Sequence, residues 1–539
     1  MRTGSLVLIA ALVAFPIRAT PQEDHDHAVP EQLGHVHFPT SCPDDLQPAF
    51  ERGVALLHSF AYAEAARAFG GLAAQSPDCA MAQWGIAMSY FHVVWGPPTP
   101  AEFTAGKAAA EKATALAPKA TPRERDYIAA IAAYYQGDGV PHPVRVVTFE
   151  QAMAGVAERH PDDHEAQIFH ALALLGVAYN SPPDKSYARQ KQAAAILNQL
   201  LPLEPDHPGI AHYMIHSFDY PELAELALPA ARAYSKIAPS APHALHMPSH
   251  IFTRLGMWKE SIASNRASAQ VARAWNARTH PGATPFDALH AMDYLEYAYL
   301  QIGQDGQARA LADSVNAIAR LDVPVFQAGY ALAAIPARYA LERRAWKEAA
   351  ALTVRPSSYP WADYPYAEAI VHFARAVGAA RSGDVATARR AVDTLTAIQR
   401  ALQGRKGFDW ATQVEIQRRA AAAWLARAQR NDDQALALMR SAAALEDSTD
   451  KHPVTPGAIL PAREQLADLL LELGNSDQAL REYETSLRTA PARFNSYLGA
   501  SQAAALAGQK DTASAYAARV SSLCDGQVPP RGALAGRAP

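Results

Sequence analysis

From Asp44 onward, apolar side chains, mostly alanine and leucine, recur at the three- and four-residue steps that return to one face of an α-helix. Turn-forming stretches cut this pattern into pairs. VVWGPPTP lies within residues 78–118, GDGVPHP within 121–163 and NSPPDKS within 164–206, and two more long pairs fill 364–447. The pattern predicts an all-α chain of consecutive helix pairs. The two ends depart from it. MRTGSLVLIAALVAFPI has a basic start, at Arg2, and carries an apolar run from Leu6 to Ile17, too short to span a bilayer and suited to a secretory signal. Residues 1–19 are therefore expected to be removed and the protein exported, to the periplasm or medium, with no membrane span left. Residues 20–43 are polar and Pro-bearing and read as a tether without its own core, and 523–539 read as a disordered tail.

A fixed period underlies the pairs. LELGNSDQALREYETSLRTAP is followed by AALAGQKDTASAYAARV, so that Gly474 to Gly508 and Ala479 to Ala513 are each 34 residues. RLGMWKESIASNRAS, QIGQDGQARALAD and RRAWKEAAAL repeat the same turn around Gly256, Gly303 and Trp346, and residues 46–79 place Gly53, Ala65, Phe69 and Pro77 in a first copy. The chain thus resembles the tetratricopeptide (TPR) repeat superfamily, in an exported bacterial-type form with a His-rich centre. The resemblance implies a right-handed α-solenoid of about twelve helix-turn-helix units. Its parts would be N-terminal repeats over 44–206, central repeats over 207–320 and C-terminal repeats over 321–522.

Composition narrows the function. The chain of 539 residues has a formal charge of −4, and losing Arg2 and Arg18 with the signal gives −4 − 2 = −6. This mild acidity, without basic-aromatic interleaving, argues against a nucleic-acid partner. The three cysteines exclude a disulfide scaffold. Cys42 and Cys79 sit at corresponding points of adjacent repeats, where either a clamp or two isolated thiols would fit. Hydrolase, nucleotide and redox motifs (GxSxG, GxxxxGK[ST], CxxC, HExxH) are absent, and HEAQIFH at His164 has the wrong spacing for a zincin.

The chemistry concentrates in histidine. Eight of the 20 histidines lie between His207 and His290. His212 and His216 are four apart, as are His246 and His250, with His243 three residues ahead. In TPR proteins the first helix of each unit lines the concave groove through positions 2, 5 and 9. With the register taken from Pro239, Gly256 and Gly303, the resemblance puts His212 and His216, then His243, His246 and His250, then His290, Asp293 and Tyr297 at those positions. Neutral imidazoles and a carboxylate converging in this way suit a transition-metal ion, with copper, zinc and iron all open. Tyr297 is expected to face a bound ligand. Pro248, between His246 and His250, threatens the helix that would aim them. His170 and His207 read as loop or core groups, His25 and His27 as tether residues, and His35 and His37 as outside candidates for the groove. The sequence leaves three functions standing: a metal-binding scaffold that also takes a peptide, protein or small acidic ligand; a metal-dependent oxidase or hydrolase; and a metal-free adaptor.

Overall fold

Twelve helical hairpins follow one another through residues 31–531, the part of the chain that the computed structural model describes. The expected signal, most of the expected tether and residues 532–539 lie outside these residues. Among the described residues the only β pairing is an isolated bridge between Thr284 and Leu321, and no helix is long and apolar enough to cross a membrane.

The turn between the two helices of a hairpin explains the sequence period. Two residues past the end of the first helix the backbone enters the left-handed region, at Gly256, Gly303, Gly383, Gly474 and Gly508, where glycine has no Cβ to clash. Five residues later a small side chain lies where the helices cross: Ser261, Ala308, Ala388 and Ala479 are fully buried there, as are Ala65, Ala349 and Ala435 five residues after the turns that lack glycine. Three hairpins make the same turn without glycine, at Phe60, Arg344 and Arg430, with φ of 54°, 56° and 63°. A bulky residue in this region is strained, and Phe60 proves to touch the site described below.

Two apolar cores run through the array. One joins Leu33 to Phe252 and the other Leu289 to Ala504. They meet where Ala269 and Ala272 pack on Ala288 and Ala291, between the sixth hairpin (Pro242–His246 continuing as Pro248–Arg254, then Trp258–Thr279) and the seventh (Phe286–Gln301, Asp305–Asn316). Each half also folds back on itself. In the first, helix Gln47–His58 of the opening hairpin packs on Pro208–Phe218 of the fifth. In the second, the buried Arg493 reaches Glu342 at 2.6 Å, Glu464 at 2.9 Å and the Tyr297 hydroxyl at 2.8 Å, and between the halves the Trp258 indole of the sixth hairpin donates to the Ala492 carbonyl at 2.8 Å. A fully buried cation holds only with such a complete set of partners.

Two expectations about the ends need correcting. The segment read as a coreless tether is packed from Gln32 on. Leu33, Val36 and Phe38 are buried, and Phe38 sits in a nest of Phe50, Trp84 and Tyr127. Its apolar side chains are few but all point inward. The Gly34 turn lies so close to Pro208 and Ile237 that a Cβ would come within 2.8 Å of each. The segment read as a disordered tail is likewise docked as far as Arg531, which pairs with Asp305 at 2.6 Å and lies over the Phe494 ring. A disulfide joins Cys42 and Cys79, with Cα atoms 5.1 Å apart, and ties the first hairpin to the second.

Candidate metal centre

Six histidines from three consecutive first helices form two adjoining triads, and within each triad one ligand nitrogen per residue lies within 4.8 Å of the others. His212 and His216 from helix Pro208–Phe218 meet His243. His246 and His250 meet His290 from helix Phe286–Gln301. Pro248 does not spoil the aim. Met247 keeps helical φ and ψ (−53°, −37°), and the proline starts a second helical segment, a position where its missing N–H costs little. His246 and His250 therefore stay one turn apart on one face.

What the other ring nitrogen touches fixes which nitrogen is free. His212 Nδ1 donates to the His58 carbonyl at 2.6 Å. His250 Nδ1 donates to Asp219 at 2.9 Å. His246 Nδ1 donates to Asn265 Oδ1 at 2.7 Å, and the Asn265 amide nitrogen is occupied with the Ser261 carbonyl. With a proton on Nδ1, a neutral imidazole presents a lone pair at Nε2. In the first triad His212 Nε2 lies 3.1 Å from both His216 Nε2 and His243 Nε2 and can accept an N–H from only one of them; in the second, His246 Nε2 and His250 Nε2, both without a proton, are 3.0 Å apart. Two facing lone pairs cannot make a hydrogen bond. A shared cation would satisfy both, since nitrogens each roughly 2.0–2.1 Å from one ion and roughly 90–100° apart have this separation.

A shared proton is disfavoured. Burial, reinforced by neighbouring imidazoles, pushes His212, His243, His246 and His290 well below the ordinary 6.5, and His216 down to about 3. His250 is lowered by burial too, with Asp219 opposing. All six are thus held neutral, the state in which imidazole binds metals.

Aromatic rings wall the centre. Phe60, from the strained turn, lies 4.3 Å from the His212 ring and 5.5 Å from those of His216 and His243, and Trp95 meets His243 edge-on. Tyr294 stacks on His250 at 4.9 Å and gives its hydroxyl to the Pro453 carbonyl at 3.2 Å. That carbonyl belongs to the loop over residues 448–461, which reaches the second triad through Tyr294. Its Asp450 also takes Lys185 from the first half of the chain at 2.8 Å. Beside the loop is a cavity of about 270 Å³ lined in part by Arg254, Tyr297, Tyr330, Trp410, Lys451 and His452.

Two expected site residues lie elsewhere. Asp293 is buried against Arg338, at 2.7 Å, and Arg338 also holds Glu296 at 3.1 Å. Tyr297 accepts from Arg493, and the Arg338 and Arg493 guanidiniums lie 5.1 and 5.7 Å from its ring centre. Neither belongs to a triad. His35 and His37 also stay out: His37 is largely exposed beside Glu51, and the His35 amide bonds the Asp206 carbonyl. His170 pairs with Glu150 at 3.2 Å.

His58, Glu165 and His207 form a third buried cluster that needs no ion. His207 Nδ1 accepts from the Gly209 amide, leaving Nε2 to donate to Glu165 at 2.9 Å, and His58 Nε2 donates to the other carboxylate oxygen at 3.0 Å. Its polarity is complete. It serves to fix the His58 backbone, whose carbonyl orients His212. Sequence reasoning missed Asp219, Asn265, Tyr294 and Phe60. Of these only Tyr294, four residues after His290, carried a signal in its spacing.

No protein-family model matches the chain, nor does any curated protein. Among solved structures the chain is similar to the P58(IPK) TPR domain, at 12% identity over 86% of this chain and 99% of that one, with a TM-score of 0.21. Yeast Tom70 is similar at 12% identity over 86% and 96%, and an IFIT1 monomeric mutant with Gppp-AAAA at 12% over 90% and 96%, each with a TM-score of 0.34. The assignment to a TPR-like α-solenoid rests on the geometry of the hairpins themselves.

Proposed function

We propose that this is an exported helical-repeat protein that binds transition metal, one ion in each histidine triad. The observation that carries the reading is the pair of Nε2 lone pairs of His246 and His250 at 3.0 Å, both rings pinned by acceptors at Nδ1. An all-imidazole, three-nitrogen set without carboxylate or thiolate suits copper, zinc or iron, and copper leads in intrinsic affinity. Export is supported by the apolar run at Leu6–Ile17 and by the Cys42–Cys79 bridge, a bond that persists in oxidising compartments. A peptide, protein segment or small acidic ligand would have its place in the cavity beside Lys451 and His452.

Metal analysis of protein purified without a histidine tag, followed by chelator competition, tests the reading. Two ions per chain are expected, falling to one in His216→Ala and in His290→Ala with the helical circular dichroism unchanged. Wild-type protein that takes up neither copper, zinc nor iron refutes it and leaves a metal-free adaptor. A second reading, a metal-dependent enzyme, is favoured by the partial exposure of His243, which leaves the first triad less than fully sealed.

A further inference from the structure

Building on the metal assignment, we infer that the two triads act as one dinuclear copper centre that binds dioxygen between the ions. The spacing of the rings is the first argument. His243 of one triad and His246 of the other are 6.2 Å apart between centroids. That is no more than the widest separations inside the triads, 6.5 Å for His216 and His243 and 6.2 Å for His250 and His290. The six rings form a continuous cluster, joined across the two triads by His243 and His246. His243 and His246 lie three residues apart on the helical stretch of the sixth hairpin, so the division between the sites is built into one turn of backbone.

The donor set is the second argument. Each triad offers three neutral nitrogens and no anionic ligand, so an ion in either is coordinatively unsaturated and carries its full charge. Neutral imidazoles support both cuprous and cupric copper, and among the described residues no carboxylate belongs to either triad, which leaves the bridging position to a small exogenous ligand. The surroundings are the third. His212 and His246 are essentially buried, and Phe60, Trp95 and Tyr294 line the cluster, which limits water around a bound oxidant.

The step balances within the site. Two cuprous ions give one electron each to dioxygen. The O–O bond is kept, two copper–oxygen contacts form, and the product is a peroxide dianion bridging two cupric ions, with no proton required. A two-electron donor such as ascorbate or a catechol would return the pair to the cuprous state and release the peroxide, which takes up two protons as hydrogen peroxide.

The test loads the full mature chain anaerobically with two equivalents of cuprous ion and admits dioxygen. The expected result is an intense near-ultraviolet charge-transfer band with no cupric electron-paramagnetic-resonance signal, because two spins bridged by peroxide couple. His290→Ala should hold one copper, lose the band and show an uncoupled cupric spectrum on oxidation. Two bound coppers whose spins are fully visible after oxygenation overturn this inference and leave the metal-binding reading intact. Failure to take up copper overturns both.

Discussion

Asp219 is the residue on which the reasoning about the second triad can be tried most sharply. Its carboxylate accepts from His250 Nδ1 at 2.9 Å and from Arg254 Nε at 2.9 Å, and its backbone carbonyl takes a second Arg254 nitrogen at 3.0 Å. Burial raises its pKa, but Lys451, Arg254 and His250 outweigh that and hold the group well below the ordinary 3.8, so it is ionised. In Asp219→Ala the His250 ring loses the acceptor that keeps the proton on Nδ1. Removing an orienting partner of this kind costs about 10–100-fold in metal affinity, or about 1.4–2.7 kcal/mol. Folding suffers as well. Breaking a buried pair costs about 3–5 kcal/mol, and the low end applies because Arg254 keeps its bond to the backbone. Asp219→Asn separates the two effects. Its amide oxygen can still accept from His250 Nδ1 while its NH2 faces Arg254, so affinity should recover and stability should not. Chelator competition on wild type and both variants, resolved into two sites, reads the first effect, and urea denaturation of the metal-free proteins reads the second. One site should weaken and the other stay. Equal weakening of both sites in Asp219→Ala, or equal affinity loss in the two variants, would refute the orienting role.

Four further outcomes follow from the geometry. Metal-free protein should lose stability as the pH falls from 7 to 5. His216 titrates at 6.5 when unfolded but at about 3 when folded, so between those values the unfolded chain binds the extra proton. The slope is up to about 1.4 kcal/mol per pH unit for each such histidine, measured by urea titration at several pH values. Reducing the Cys42–Cys79 bridge, which closes a 37-residue separation, should destabilise by about 2–4 kcal/mol, read as a fall in Tm with a phosphine reductant. Phe60→Gly should cost clearly less than Phe60→Ala: both lose the buried ring, worth about 3–5 kcal/mol, but only glycine relieves the left-handed backbone, worth about 1–2 kcal/mol, a gap visible in parallel melts. Asp293→Asn should leave two bound metals untouched while lowering stability by about 3 kcal/mol, the low end for a broken buried pair because Arg338 keeps Glu296, and loss of a metal there would restore Asp293 to the ligand set.

The repeat and most of the site were legible because both are local. The 34-residue spacing reports a backbone conformation, the left-handed turn at Gly474 and Gly508, and a crossing that admits only a small side chain at Ala479. The four-residue steps of His212 and His216, and of His246 and His250, report one helix face. Asp219 and Asn265 were not legible because they reach their histidines from outside the histidine's own helix, 31 and 19 residues away, Asp219 from just past the end of Pro208–Phe218, and the His58 carbonyl does so across 154. Asp293 and Tyr297 misled for a different reason. Helix Phe286–Gln301 is buried on nearly every side, so sharing a face with His290 does not mean sharing a neighbour. At a rise of about 1.5 Å per residue, Tyr297 lies about 10 Å further along the axis, where it meets Arg493. The tether was misread because composition averages over residues: Leu33, Val36 and Phe38 are few among polar neighbours, yet each fills a place in the first core.

An open solenoid behaves like a spring, free to flex and tolerant of losing or gaining a coil. The return of Arg493 to Glu342 and of Trp258 to Ala492 removes that freedom. Deleting or duplicating any hairpin between the eighth and the twelfth would shift every later partner by a full coil and part these contacts, so the number of coils is fixed by closure, not by tolerance. Lineages of this protein should therefore vary in loop length and surface while keeping their coil count, and pulling on the chain should give one abrupt release, not the gradual extension of an unlatched array.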